Sequence, residues 1–201
     1  IVRSTLPTGT AFICLSDDAE NAITVAPGAN SALRGDELSS LHDVSHLLLQ
    51  LETPIDAVSA YALAARKAGV QVVLNAAPAQ ALPTELLRSV DVLIVNEGEL
   101  AALAGEGRVA AQAARLPVPC VVVTLGARGC FARRGAEMFL QPAFPIEAVD
   151  TTAAGDTFCG ALAARLAEHA GLADAPRLPT AASALACTRL VRMISAKPNS
   201  S

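Results

Sequence analysis

Asp91-Val-Leu-Ile-Val-Asn-Glu-Gly-Glu99 runs from a segment that is apolar at every position straight into the pattern Asn-x-x-Glu. A strand with one wet face alternates apolar and polar residues; Val92–Val95 does not alternate, so it reads as a strand covered on both faces. Asn followed three residues later by Glu is the pattern in which each side chain takes the other's backbone N–H at the start of a helix. A strand feeding directly into a helix is the repeating unit of an α/β sheet.

The same texture extends to either side. Upstream lie His46-Leu-Leu-Leu-Gln-Leu51 and Val70-Gln-Val-Val-Leu74, and downstream Cys120-Val-Val-Val-Thr-Leu125. Between the first two, Thr53-Pro54 reads as N-cap and first residue of a helix to about Lys67, with Gly69 ending it. Further helices are expected from about Gly155 to His169 and from Thr180 to Leu190. Residues 8–30 differ: Ala11-Phe-Ile-Cys-Leu15 and Ala22-Ile-Thr-Val25, around polar Ser16–Asn21, read as a β-hairpin. No internal repeat or low-complexity linker divides the 201 residues.

Apolar residues make up 52% of the chain and charged ones 17%, with a mean hydropathy of +0.43, which excludes a disordered chain. Aromatic residues are 3% and the net charge is −4, so neither stacking platforms nor a basic footprint for nucleic acid is present. The longest uncharged stretch, Ala68–Thr84, is broken by Asn75 and Pro78, which argues against a membrane span. Cys14, Cys120, Cys130, Cys159 and Cys187 are odd in number and lack C-x-x-C spacing, so they read as core residues of a reducing, cytoplasmic compartment. The start, Ile1-Val-Arg-Ser-Thr5, carries no initiator Met and no secretory signal pattern.

Ligands of open parallel sheets gather where strands end and helices begin. Polar residues recur at those places: Glu52, Asn75, Asn96-Glu-Gly-Glu99, Thr124-Leu-Gly-Ala-Arg-Gly129 and Asp150-Thr-Thr-Ala-Ala-Gly-Asp-Thr157. In the last segment small residues let backbone N–H groups approach an anion, and Asp156 stands at a helix mouth, where a carboxylate could take the proton of an attacking hydroxyl. Each feature also has a plain alternative. Asp156 could cap the helix, Asn96 and Glu99 could form a capping box, Glu52 could be a solvated carboxylate, and Thr124–Gly129 could be an ordinary glycine-containing hairpin turn. His42 and His46 have the spacing of a metal pair, but the second begins a strand; Asp17, Asp18 and Glu20 read as an acidic hairpin loop. A Walker-type phosphate loop and a G-x-S-x-G elbow are both absent.

Asp150–Gly160 resembles the C-terminal signature of the ribokinase, or PfkB, family of sugar kinases. Val95-Asn-Glu-Gly-Glu99 is similar to that family's N-E-x-E segment, and Thr124–Gly129 to its T-L-G-x-x-G. The resemblance covers about Thr8 to Arg189. It implies a three-layer αβα, ribokinase-like fold around a mostly parallel sheet: a lid-type hairpin in residues 1–30, a nucleotide-binding core in 31–190 and a tail, 191–201, unlike the family pattern. It implies transfer of phosphate from ATP to a sugar. Pro27–Asn30, Leu49–Thr53 and Leu74–Pro78 look closest to the ribose-phosphorylating members; a fructokinase, a nucleoside kinase or a silent nucleotide-binding fragment stand as alternatives.

Residue by residue, the resemblance makes Asp156 the catalytic base, also touching the sugar, with Ala153, Ala154 and Gly155 as the anion hole. Asn96, Thr124, Gly126 and Gly129 would contact ATP, Glu52 would bind the sugar, and Glu99 would hold Mg²⁺ through water. Asp150 and the Thr152 carbonyl would bind a monovalent cation such as K⁺. A homodimer is implied through the hairpin. The family's N-terminal Gly-Gly motif and sugar-binding Asp have no counterpart in this chain, so the sugar side is expected to be incomplete.

Overall fold

A computed structural model describes residues 4–15, 21–168 and 175–188. Its elements, in chain order, are β1 (Thr10–Leu15), β2 (Asn21–Ala26), β3 (His46–Leu49), α1 (Ile55–Lys67), β4 (Gln71–Asn75), α2 (Thr84–Arg88), β5 (Val92–Asn96), α3 (Glu97–Ala104), α4 (Val109–Arg115), β6 (Cys120–Thr124), β7 (Cys130–Arg134), β8 (Glu137–Gln141), α5 (Ala154–Ala167) and α6 (Arg177–Cys187).

The strands β3 to β8 form one sheet in chain order, and β1 pairs with β2 as a separate antiparallel hairpin. Pairs β3–β4, β4–β5 and β5–β6 are parallel, while β7 pairs antiparallel with both β6 and β8. Alternation along each strand sends side chains to two cores. Leu74, Leu93, Val95, Val121 and Val123 join α1 to α4 on one face, and Val73, Val92, Ile94, Cys120 and Val122 meet Phe158, Leu162 and Leu166 of α5 on the other. The expected three layers are therefore realised, and the continuously apolar runs of β5 and β6 are buried on both sides. β3 departs from this expectation, because it lies at the sheet edge and Leu48 is 41% exposed.

Local differences have local causes. Helix α1 begins at Ile55 rather than Pro54, since Pro54 has an extended ψ of 131° and itself occupies the N-cap position. Gly69, at φ +74°, ends that helix as expected. Helix α6 begins three residues before Thr180, because Pro179 sits in the first turn, where a missing N–H leaves no bond unmade. The β7–β8 hairpin and the short α2 and α4 were not legible beforehand; Phe131-Ala-Arg-Arg134 carries neither alternation nor a continuous apolar run. The expected helix ends at His169 and Leu190, the loop Asp17–Glu20 and the tail 191–201 lie outside the described residues.

Candidate functional site

The parallel register sets the site. β5 and β6 pair from Val92↔Cys120 to Asn96↔Thr124, so both strands end at the same level. Asn96 is the N-cap of α3: its side-chain oxygen accepts from the Glu99 N–H at 2.8 Å, and the Glu99 carboxylate accepts from the Asn96 N–H at 2.8 Å. The capping box read from the sequence is thus present. Glu99 is buried, and desolvation pushes its carboxyl above the ordinary range, against the lowering effect of the Asn96 N–H.

Thr124 ends β6 and donates through its hydroxyl to Val95 O at 3.4 Å. The chain then turns tightly through Gly126–Arg128 to Gly129, which closes the turn at φ +100°. A Cβ on Gly129 would lie 2.0 Å from the Gln141 carbonyl oxygen, so this position requires glycine. The turn is a hairpin connection, one alternative the sequence left open, yet Thr124, Gly126 and Gly129 also line a cavity of about 400 Å³.

The opposite wall of that cavity is the start of α5. Val149 and Asp150 donate their N–H groups to Cys187 O, at 2.8 and 3.1 Å, which ties the segment to the end of α6. The buried Asp150 carboxylate accepts from the Thr152 N–H at 2.8 Å and folds the chain into a turn. Ala153 then takes a left-handed conformation, φ 60° and ψ 6°, at the N-cap position, where its methyl group offers nothing to cap the helix. Ala154 and Gly155 line the cavity as the first two residues of α5. Asp156 is third in the helix and exposed.

Asn96, Glu99, Ala153 and Asp156 are not among the residues that line this cavity. The Cys159 thiol is pushed up to about 12, chiefly by burial and further by Asp156 and then Glu99. Among the described residues no cluster of three or more His, Cys, Asp and Glu is placed to hold a metal ion. His42 instead pairs with Asp43 at 2.8 Å, and His46 Nδ1 lies 2.9 Å from Ser45 Oγ.

Glu52 stands apart from this group. It is exposed just beyond β3 and lines a second cavity of about 380 Å³ with Thr53, Pro78 and Gln80, sharing no lining residue with the first. Phe144, Ile146 and Phe158 make the first cavity largely apolar, and Ser183 and Cys187 complete it from α6. These residues escaped the sequence reading. Phe144 and Ile146 lie in a segment without secondary structure, and Ser183 and Cys187 sit on a helix far along the chain; nothing in their local pattern marks them. Cys120, Cys130, Cys159 and Cys187 are buried and free.

Residues 1–197 match the pfkB family of carbohydrate kinases, and the chain belongs to that family. Within it, the chain is 40% identical over 195 residues to a ribokinase from Haemophilus influenzae, covering 90% of this chain and 63% of that protein. A ribokinase structure from Thermotoga maritima superposes with a TM-score of 0.84 at 36% identity, covering 94% of this chain and 66% of the other. The Arabidopsis thaliana ribokinase solved with ribose and ATP gives a TM-score of 0.80 at 33% identity, over 92% of this chain and 64% of the other. The chain thus spans under two thirds of the length of each of these relatives. Among the described residues no helix is long and apolar enough to cross a membrane.

Proposed function

We propose that this chain carries the nucleotide-binding and catalytic part of an ATP-dependent carbohydrate kinase whose acceptor is ribose, acting in the cytoplasm. The observation that carries the reading is the single cavity shared by the β6–β7 turn and the uncapped start of α5, with Asp156 in the first turn of that helix. A helix start is a natural seat for phosphate, because its first N–H groups lack partners within the helix and its dipole favours negative charge. In the proposed arrangement the apolar walls take the nucleotide base, while Asn96, Thr124, Gly126 and Gly129 flank the nucleotide. Ala153, Ala154 and Gly155 present backbone N–H groups to the transferring phosphoryl group, the Ala154 N–H exchanging its 3.2 Å bond to Thr151 O for the phosphate, and Asp156 accepts the proton of the sugar hydroxyl. Phosphoryl transfer depends mostly on positioning and charge stabilisation, which suits a site built from backbone and one carboxylate.

Magnesium usually keeps most of its waters and needs only one or two protein carboxylates beside the nucleotide phosphates. Glu99 fits that role, because the capping bond engages one of its two oxygens. Asp150 with the Thr152 carbonyl offers an oxygen pair of the kind a monovalent cation takes. Glu52 is assigned to the sugar. The hairpin, where Phe12 is 61% and Val25 46% exposed, is assigned to a lid and to contact with a second copy.

Calorimetric titration with ATP and Mg²⁺ tests the nucleotide reading on this chain directly, and absence of binding overturns it. Sugar-dependent ADP release is measured on the chain joined to the N-terminal part of the Haemophilus influenzae ribokinase. Greater turnover with fructose or adenosine than with ribose would replace the assigned acceptor.

A further inference from the structure

Arg128 and Glu97 form an ion pair, Nη2 to Oε1 at 2.5 Å, across 31 positions of sequence. Glu97 is the first residue of α3, directly after Asn96. Arg128 ends the tight turn after β6 and stands between Ala127 and Gly129, both of which line the cavity. The pair therefore bridges the helix start that follows Asn96 and the turn that follows its register partner Thr124. The guanidinium is held further above its already high range by the Glu97 hydrogen bond and charge.

Stability does not account for this pair. Both side chains are substantially exposed, 65% for Arg128 and 47% for Glu97, and exposed ion pairs contribute little to folding. The neighbourhood gives it a different use. Glu97 and Glu99 put two acidic residues in the first turn of α3, beside a cavity assigned to a polyanion. An unpaired Glu97 would repel the phosphates and leave the first residue of α3 without its side-chain tie to the β6–β7 turn.

We infer that Glu97 and Arg128 are a positioning pair for the nucleotide: the bridge fixes the spacing between Asn96 and Gly126 and neutralises Glu97 in the unliganded site. This rests on the nucleotide reading above. Neither residue lines the cavity, so the pair acts through the helix start and the turn it joins.

Calorimetric titration of the 201-residue chain with ATP and Mg²⁺, and with ADP, tests the inference alongside thermal melts. Arg128→Ala and Glu97→Ala are each expected to weaken binding of both nucleotides by about 3- to 5-fold while the melting temperature stays unchanged, the size set by an exposed ion pair. Exchanging the charges, Glu97→Arg with Arg128→Glu, is expected to restore most of the affinity. Raised salt should weaken the parent more than either single variant, since it screens an exposed bridge. If Glu97→Ala strengthens ATP binding and the exchange fails to rescue, Arg128 is a phosphate ligand and the positioning role is wrong. Equal affinities in parent and variants also overturn the inference while leaving the nucleotide site standing. A parent that binds no nucleotide overturns the site itself.

Discussion

Asn96 and Thr124 are register partners across β5 and β6, so two residues 28 positions apart in the chain end neighbouring strands side by side. One caps a helix and the other starts a glycine turn, and of the two Thr124 lines the cavity while Asn96 does not.

Asn96→Leu removes the cap of α3 and should destabilise the fold by about 1 kcal/mol, the usual worth of such a cap. Asn96→Asp keeps an acceptor for the Glu99 N–H and should melt with the parent. Both variants are expected to bind ATP more weakly than the parent, since the amide N–H donors are lost in each. Thermal melts run with and without ATP and Mg²⁺ separate the two effects, and an Asn96→Asp variant with undiminished ATP-induced shift would reduce Asn96 to a cap.

Asp156→Asn is expected to lower kcat by about 10²- to 10⁴-fold, the range for loss of a general base, with little change in ATP affinity. The assay is ribose-dependent ADP release from the chain joined to the N-terminal part of a related ribokinase. Retention of more than about a tenth of the parent kcat would dismiss the carboxylate as base.

Ala153 holds a left-handed conformation at φ 60°, a geometry that costs a residue with a Cβ about 1–2 kcal/mol. Ala153→Gly relieves this and gives back about 0.5–1 kcal/mol through greater freedom when unfolded, so it should be neutral to slightly stabilising. Ala153→Val should destabilise by more than about 1 kcal/mol, because a β-branched residue tolerates that region poorly. Urea melts decide it, and a valine variant as stable as the glycine one would show that the turn after Asp150 is free to rearrange.

Glu99 gives a pH signature. Burial raises its folded carboxyl above the unfolded value, so the stability linked to its proton is full below the ordinary carboxylate range and is lost as pH rises through the folded value. Glutamine keeps an acceptor for the Asn96 N–H without the charge. Glu99→Gln should therefore gain on the parent between about pH 4 and pH 7 in urea melts, while Mg²⁺-dependent nucleotide binding falls. A stability difference that stays flat across that interval would mean the carboxylate is not desolvated.

Legibility followed the range of the forces involved. The strands β4, β5 and β6 could be read because burial on both faces demands an apolar residue at every position. The Asn96–Glu99 cap could be read because both bonds close within one helical turn. β8 could not, since Met138 and Leu140 are exposed on an edge strand and break the expected pattern. Within the candidate site, the segments from Thr124 to Gly129 and from Asp150 to Asp156 announced themselves through glycines and small residues at strand and helix ends. The apolar wall did not, since Phe144 and Phe158 look like any other core residue until the backbone brings them together.

The sequence by itself determined the layered α/β class, the strand-end position of the polar residues and the helix start that carries Asp156, because periodicity, capping and turn formation act over a few residues. Only the tertiary structure decided that the β6–β7 turn and the start of α5 share one cavity, that Glu52 lies outside it, and that Glu97 reaches Arg128. Those relations depend on parallel register and on how α5 and α6 seat on the sheet. Such packing is set by the sum of many nonlocal contacts, and no short stretch of sequence encodes it.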